Sequence, residues 1–331
     1  MTSKIRVFEA FAGYGSQSIA LRNIGVEHEV VAISEIDKYA TIAYEAIHGP
    51  TNNLGDISKI KVEDIPQHDL FTYSFPCQDI SVAGSRNGIE KGKTRSGLLY
   101  ECEKIIEHCR PKYLLMENVK NLVGKKFKPK FDEWLAYLET LGYKNYWQVL
   151  NSKDYGMPQN RERVFCVSIL GEHNEYEFPK PMELKLRLKD LLEDNVDSKY
   201  YLSDEVQSRF KLKENKSNSD ITNSIDVIGK LECKGWYDIE SRVHSINGIA
   251  PTLETRNRAK YMDNLKIRKL TCTEAYRLMG LYDEDIKKIQ ECNLSNTQQY
   301  KMAGNSIVVN VLEEIFRNLF LEIEDRPTSC K

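Results

Sequence analysis

The residue best placed for covalent chemistry is Cys77. It follows Pro76 directly after the apolar run 70–75, which is typical of a buried β-strand. A thiol at the carboxyl end of a parallel strand lies where ligands of α/β folds bind, and its thiolate is a strong nucleophile. A lone cysteine is more often a small buried hydrophobic residue, so the position alone does not establish catalysis.

A carboxyl group and two guanidinium groups flank the next strand-like runs. Glu117 follows the run 113–116, and Arg161 and Arg163 precede the run 164–169. A carboxyl group at that sheet edge can act as a general acid, and two arginines two residues apart can face one cleft. The alternatives are a helix-capping or surface acid and a surface cluster of ion pairs.

A glycine-rich loop, residues 11–15, follows the first strand-like run. Glu35 follows the second run, 20 residues beyond Gly15. This spacing suits an adenosine cofactor, because glycines permit close backbone approach and an acid can bind ribose hydroxyls. Ser18 replaces the third glycine of a dinucleotide fingerprint, which favours a nucleoside cofactor without phosphate. Glycines that only form a tight turn between strand and helix are the alternative.

The elements that must position these residues alternate along the first half of the chain. The strand-like runs are 5–11, 30–34, 70–75, 113–116, 146–150 and 164–169, and the helical segments are 16–22, 39–48, 97–108 and 131–141. This alternation predicts an α/β fold with a doubly wound, mostly parallel sheet. Beyond Gly171 the alternation stops. There we predict a helix over 184–192, a linker over 213–220 and a buried helix over 307–321 that returns to the first domain.

Length and composition limit the class of protein. The 331 residues suggest about two domains, and 41% hydrophobic with 29% charged residues is ordinary globular composition. The net charge of -2 excludes a histone-like binder, although basic residues outnumber acidic ones nine to five over 230–269. The 8 cysteines form no C-x-x-C pair, so we expect reduced thiols and no metal. No run is apolar enough to span a membrane.

Together these motifs resemble the C5-cytosine-specific DNA methyltransferase family of bacterial or phage type. The matching segments occur in the family's order and are 11–15, Glu35, 55–57, 76–78, 117–119, 159–163, 268–271 with 274–275, and 304–306. Ser16 departs from the family, which usually has a further glycine there. The absence of an Asp/Asn-Pro-Pro-Tyr/Phe element argues against an amino-methylating enzyme.

The resemblance implies a Rossmann-like S-adenosylmethionine-dependent catalytic domain over 1–180 and 296–331. A smaller, irregular target-recognition domain over 181–295 completes the chain. The implied reaction is methyl transfer from S-adenosylmethionine to C5 of a cytosine rotated out of duplex DNA. In this mechanism the Cys77 thiolate adds at C6 and Glu117 donates a proton at N3. The implied role of Arg161 and Arg163 is to hold the base carbonyl and support the acid and the thiolate.

The resemblance also implies the binding residues. The cofactor-binding positions are Phe11, Gly13, Tyr14, Gly15, Glu35, Ile36, Asp56, Ile57, Pro76, Leu98, Asn305 and Ser306. The DNA-binding positions are Ser85, Arg86 and Arg95, in a glycine-rich lid over 80–95, and Thr252, Arg256 and Arg258, in or beside a target-recognition element over 248–253. The remaining expectations are a cytoplasmic monomer in a prokaryotic or phage-infected cell, and a cognate restriction endonuclease as a further partner.

Three rival functions fit the sequence less well than DNA cytosine methylation. A tRNA cytosine-C5 methyltransferase would share Pro-Cys-Gln, but the basic second domain and the lack of that branch's Cys-Phe-Thr element favour DNA. A catalytically silent DNA-binding regulator would not need Cys77, Glu117 and both arginines. A dehydrogenase would explain the glycine loop but not the cysteine after Pro76.

Overall fold

The computed structural model describes residues 4–76, 80, 95–213 and 222–321, with the backbone alone at residue 95. The chain divides into two compact units. The first unit comprises Met1–Leu150, Glu162–Lys180 and Val311–Lys331, and the second comprises Asn151–Arg161 and Pro181–Asn310. Residues 151–161 and 296–310, which the sequence assigns to the catalytic domain, thus belong to the second compact unit. The functional roles of the two domains stay a prediction.

Strands and helices alternate in the first part of the chain, and short strands followed by helices make up the second. The strands are β1 (Ile5–Ala10), β2 (His28–Ser34), β3 (Leu70–Tyr73), β4 (Tyr113–Val119), β5 (Tyr143–Asn151), β6 (Gln159–Asn160), β7 (Glu162–Leu170), β8 (Phe210–Leu212), β9 (Val227–Leu231), β10 (Arg242–Ser245), β11 (Ala250–Pro251), β12 (Lys260–Asp263) and β13 (Lys266–Arg268). The helices are α1 (Ser16–Asn23), α2 (Lys38–His48), α3 (Leu99–Cys109), α4 (Lys128–Thr140), α5 (Asp204–Gln207), α6 (Asp238–Ser241), α7 (Cys272–Arg277), α8 (Asp283–Glu291), α9 (Asn296–Asn305) and α10 (Val309–Phe320).

The first unit is built on a six-stranded sheet in the order β2-β1-β3-β4-β7-β5. The strand pairs β1 with β2, β1 with β3, and β3 with β4 are parallel. Phe8, Phe71 and Leu114 on these strands are fully buried, as expected where helices cover both faces of a parallel sheet. This confirms the α/β fold with a mostly parallel sheet.

The direction of one strand in this sheet differs from the prediction. β7 pairs antiparallel with β4, whereas the run 164–169 was predicted to be parallel. The reason is the connection before it. Residues 152–161 between β5 and β7 contain a 3-10 turn and the short β6 but no helix, and a parallel return needs a crossover of about a dozen residues or more.

The second unit is more regular than its sequence indicates. Its five-stranded sheet has the order β13-β12-β10-β9-β8, and a separate parallel pair joins β11 to β6. The predicted helix over 184–192 is wrong, because only a 3-10 turn, Leu188–Leu191, forms there. The backbone N–H groups of Leu188 and Lys189 donate instead to the carbonyls of Gly248 and Ile246.

The predicted last helix is confirmed as α10. Leu312, Ile315 and Phe316 on this helix are fully buried. The Phe320 ring lies edge-on to that of Tyr113, at the start of β4, with the ring centroids 5.2 Å apart. Residues 311–320 of α10 therefore belong to the first unit, as expected.

Candidate active site

The loop between β1 and α1 has an unusual backbone. Phe11, Gly13 and Gly15 have φ angles of 57°, 59° and 82°, in the left-handed region. This region is costly for a residue with a side chain, so Phe11 holds a strained position. At Gly15, an added Cβ would lie 2.4 Å from Nε2 of His48. Only glycine therefore lets the start of α1 approach α2 so closely.

Glu35, at the carboxyl end of β2, fixes this loop. The backbone N–H of Gly13 donates to Oε2 of Glu35 at 2.9 Å, and that of Asp37 donates to Oε1 at 2.8 Å. Burial raises the pKa of the Glu35 carboxyl. The hydrogen bonds from the two N–H groups lower this pKa, but by less than burial raises it. The next side chain, Ile36, is 75% exposed. The arrangement offers an acid and an exposed apolar side chain beside a glycine loop.

The remaining predicted cofactor positions are divided between the two units. Asp56 caps the turn that begins with the buried Ile57, and hydrogen bonds from Ser58 lower the pKa of its carboxyl. The segments of Pro76 and Leu98 approach each other, since the Ser96 hydroxyl donates to the Pro76 carbonyl at 2.7 Å. The other members of the set are the buried Tyr14, in the first unit, and the exposed Asn305 and buried Ser306 at the end of α9, in the second unit.

Glu117 and Arg163 form an ion pair where β4 and β7 lie side by side. Nε of Arg163 lies 3.2 Å from Oε1 of Glu117, and the two side chains are only 16% and 10% exposed. The antiparallel register pairs Val119 with Arg163, which brings the arginine beside the carboxyl group. A partly buried pair of this kind holds both groups in a defined orientation.

Asn118 connects the end of β4 to the segment that leads to Cys77. Its buried side chain donates from Nδ2 to the carbonyl of Phe75 at 3.0 Å. Phe75, two residues before Cys77 in the sequence, thus lies at the same sheet edge as Asn118 and Glu117. Cys77 itself lies outside the described residues.

Arg161 has different partners from Arg163, although the two are separated by one residue. Its guanidinium is buried and donates to the backbone carbonyls of Leu253 at 3.2 Å, Gly304 at 3.0 Å and Ser306 at 2.7 Å. These partners belong to the second unit, whereas Glu117 belongs to the first.

Gln159, which the sequence indicates only as part of the 159–163 motif, bonds two segments of the second unit. It is fully buried. Its Oε1 accepts from the backbone N–H of Leu253 at 2.9 Å, and its Nε2 donates to the carbonyl of Leu278 at 3.0 Å.

The predicted DNA-binding residues are described only in part. Ser85 and Arg86 lie outside the described residues, as does the side chain of Arg95. Thr252 donates its hydroxyl hydrogen to the carbonyl of Asn160 at 2.7 Å. Arg256 is exposed. The Arg258 guanidinium forms ion pairs with the carboxylates of Glu254 and Glu240, each with an N–O distance of 2.8 Å.

Glu9 is a buried acid that sequence reasoning missed. It is the penultimate residue of β1, is fully buried, and accepts a hydrogen bond from the Ser18 hydroxyl at 2.7 Å. Burial raises its pKa from 4.5 to about 7, although the Ser18 bond acts in the opposite direction. An acidic residue between the apolar Phe8 and Ala10, in the buried half of β1, is the signal that could have found it.

We expect Glu9 to make stability depend on pH. Its pKa is raised in the folded state, so its contribution is fully present below about 4.5 and is lost as pH rises through about 7. The loss amounts to about 3 kcal/mol. Denaturant unfolding from pH 5 to 8 should show Glu9→Gln gaining stability over the natural protein as pH rises. The exposed Glu29→Gln is the control, and a parallel pH dependence of Glu9→Gln and the natural protein would contradict the prediction.

The described residues form neither a metal centre nor a membrane-spanning helix. Within the parts of the chain that the structure describes, no group of three or more His, Cys, Asp or Glu side chains could hold a metal ion. Over the same residues, every helix is too short or too polar to cross a membrane.

Comparison with known proteins gives consistent matches. The model of the C-5 cytosine-specific DNA methylase family matches residues 5–321. The type II methyltransferase M2.ScrFI of Lactococcus lactis subsp. cremoris is 41% identical, over 96% of this chain and 99% of that protein. The type II methyltransferase M.HhaI of Haemophilus parahaemolyticus is 32% identical, over 98% and 96%. Among solved structures, the S. pombe Dnmt2 methyltransferase has a TM-score of 0.70 at 20% identity, over 95% and 97% of the two chains.

Proposed function

The chain belongs to the C-5 cytosine-specific DNA methylases and is a DNA cytosine-C5 methyltransferase, and from this premise we propose how it works. It takes the methyl group from S-adenosylmethionine and acts on a cytosine rotated out of the duplex, through a covalent bond between Cys77 and C6. The observation that carries this proposal is the partly buried Glu117–Arg163 pair, beside the strand end that leads to Cys77.

The residues around the first loop fit the proposed cofactor. Glu35 would bind the ribose hydroxyls, Ile36 would cover the adenine ring, and the left-handed backbone at Gly13 and Gly15 would permit close approach. The other residues assigned to this site are Phe11, Tyr14, Asp56, Ile57, Pro76, Leu98, Asn305 and Ser306. S-adenosylmethionine, when bound, supplies a methyl group on a positively charged sulfur.

The protein residues make C5 of cytosine nucleophilic. The Cys77 thiolate adds at C6, and the electron pair of the C5–C6 bond moves toward C5 and N3. Glu117 donates a proton at N3, and Arg163 holds Glu117 in position through the ion pair. After methyl transfer to C5, loss of the C5 proton to a bound water or hydroxide restores the C5–C6 double bond and expels the Cys77 thiolate, and the proton at N3 returns to Glu117. The catalytic role of Arg161 stays a prediction, since its described partners are backbone carbonyls.

Duplex DNA is the substrate, and its target base must leave the stack to reach these residues. We assign the lid, residues 80–95, and the segment 248–258 to the DNA contacts, with Ser85, Arg86, Arg95, Thr252, Arg256 and Arg258 as the candidates. Target choice would lie in the domain 181–295. The names of the bacterial type II relatives favour restriction-modification as the setting. A cognate endonuclease as a partner, the cytoplasm as the location and a monomer as the active form stay predictions.

The decisive experiment maps methylation directly. Bisulfite sequencing of DNA from cells that express the protein should reveal cytosines methylated in one recurrent sequence. Purified protein should then methylate a duplex carrying that sequence and leave tRNA unmodified. Methylation of tRNA alone would establish the rival tRNA enzyme, and the absence of any methylation would contradict the proposal.

We expect Glu35→Ala to weaken cofactor binding. Loss of a carboxylate that accepts from both ribose hydroxyls removes about 1.5–3 kcal/mol, which is a ten- to hundredfold rise in Kd. Glu35→Gln keeps an acceptor for the Gly13 N–H, so it separates loop anchoring from ribose binding. Calorimetry with S-adenosylhomocysteine measures both variants, and unchanged affinity in Glu35→Ala would remove this assignment.

A further inference from the structure

Two functional segments of the second unit converge on one buried side chain. We call residues 250–255, which form part of the segment 248–258 assigned above to the DNA contacts, the target element. Residues 304–306, which include Asn305, are called the cofactor element. The guanidinium of Arg161 donates to Leu253 in the target element and to Gly304 and Ser306 in the cofactor element. Arg161 is only 3% exposed, so water does not compete for these bonds.

We propose that Arg161 is a positioning residue that couples cofactor binding to target-DNA binding. The inference rests on the proposed function, because it takes the roles of the two elements from there. A guanidinium is planar and its donors have fixed directions. A shift of either element therefore misaligns bonds to the other, and in a buried site the lost bonds are not replaced by water.

The backbone around Arg161 is itself held in place. Its N–H donates to Oδ1 of Asn151 at 3.1 Å, and its carbonyl accepts from the N–H of Ser152 at 3.1 Å. Gln159 and Asn160 of the same segment accept from Leu253 and Thr252. Arg161 thus projects from a fixed segment, so movement of one element is passed to the other rather than absorbed.

A second contact couples the same two elements without Arg161. A Cβ on Gly304 would lie 2.5 Å from the backbone nitrogen of Thr255 and 2.7 Å from the carbonyl carbon of Glu254. The cofactor element therefore touches the backbone of the target element, with no space for a methyl group. Gly304→Ala should push the two elements apart directly, whereas an Arg161 substitution removes the bonds that join them.

The test is a coupling measurement on the full chain. Calorimetry gives the Kd of S-adenosylhomocysteine with and without a duplex carrying the mapped target sequence, and the ratio of the two is the coupling factor. We expect a factor on the order of ten for the natural protein. Arg161→Lys places all its donors on one nitrogen and cannot reproduce the spread of Nη1 and Nη2 that reaches both elements. This variant and Gly304→Ala should each lower the coupling factor below about three. A variant whose affinity for S-adenosylhomocysteine falls equally with and without DNA keeps its coupling factor, because the two Kd values change by the same proportion.

The control is Arg209→Lys, a surface residue of the second unit that pairs with Glu205, which should keep the natural factor. A factor near one in the natural protein, or a natural factor in both variants despite weakened binding, would overturn the proposal and leave Arg161 a structural residue. If Arg161→Lys does not fold, Gly304→Ala decides. Absence of methylation or of S-adenosylhomocysteine binding in the natural protein would contradict the proposed function instead.

Discussion

Replacing Cys77 by serine is expected to abolish methylation and to leave duplex binding largely intact. Serine is nearly isosteric with cysteine, but its hydroxyl is hardly ionised near neutral pH and cannot add to C6 of cytosine. Loss of the nucleophile in a covalent mechanism lowers kcat by on the order of 10⁴-fold or more. The measurement is the initial rate of methyl transfer to the mapped duplex, with DNA binding followed separately.

A duplex containing 5-fluorocytosine tests the covalent step itself. Its C5 fluorine blocks the final elimination, so the natural protein should form an adduct that survives denaturation, and Cys77→Ser should form none. Cys292→Ser is the matched control, because that thiol is half-buried in the second unit and donates to the Lys288 carbonyl. An adduct retained by Cys77→Ser would remove this residue from the mechanism.

Other thiols are poorer candidates on physical grounds. Burial raises the pKa of Cys166 to about 12 and that of Cys272 to about 11. Such thiols stay protonated near neutral pH, and only the thiolate adds to an electrophile.

The strands β1, β3, β4 and β7 of the first unit could be predicted because each contains an apolar run that is mostly buried. Their directions could not all be predicted, since β7 is apolar like its neighbours and only the lack of a crossover helix makes it antiparallel. The sheet of the second unit was missed because its strands have only three to five residues. Runs so short carry too few positions for a periodic pattern to be recognised.

The predicted helix over 184–192 fails for a different reason. Its residues have the apolar spacing of a helix, but Leu188 and Lys189 donate to the carbonyls of Gly248 and Ile246, far along the chain. Tertiary hydrogen bonds of this kind outweigh helix propensity, and the local pattern contains no sign of them.

The site was predicted as a set of residues, but their contacts were not. The spacing of Gly15 and Glu35 indicated an acid near the loop, whereas the two backbone bonds that Glu35 accepts required the structure. Arg161 and Arg163 look equivalent in the sequence. Their partners differ because β6 ends at Asn160 and β7 begins at Glu162, so one arginine lies between two strands and the other within β7.

Glu117→Gln should lower the rate of the chemical step by about 10²- to 10⁴-fold, the range typical of a lost general acid. Glutamine keeps the shape of the side chain but cannot transfer a proton to N3, and it removes the charge that Arg163 pairs with at 3.2 Å. Because Glu35 and the loop are untouched, the Kd of S-adenosylhomocysteine should stay within about threefold of its natural value.

Single-turnover methylation and the rate of adduct formation with the 5-fluorocytosine duplex should both fall in Glu117→Gln, since protonation at N3 assists the addition of Cys77. Glu162→Gln is the matched control, because this exposed neighbour pairs only with Lys120 among its described ion-pair partners, at 2.8 Å, and should keep the natural rate. Arg163→Lys should slow both steps less than Glu117→Gln, because an ammonium keeps the charge but not the orientation of a guanidinium. A Glu117→Gln rate within threefold of the natural rate would exclude Glu117 as the acid and leave the Glu117–Arg163 pair a structural feature of the sheet.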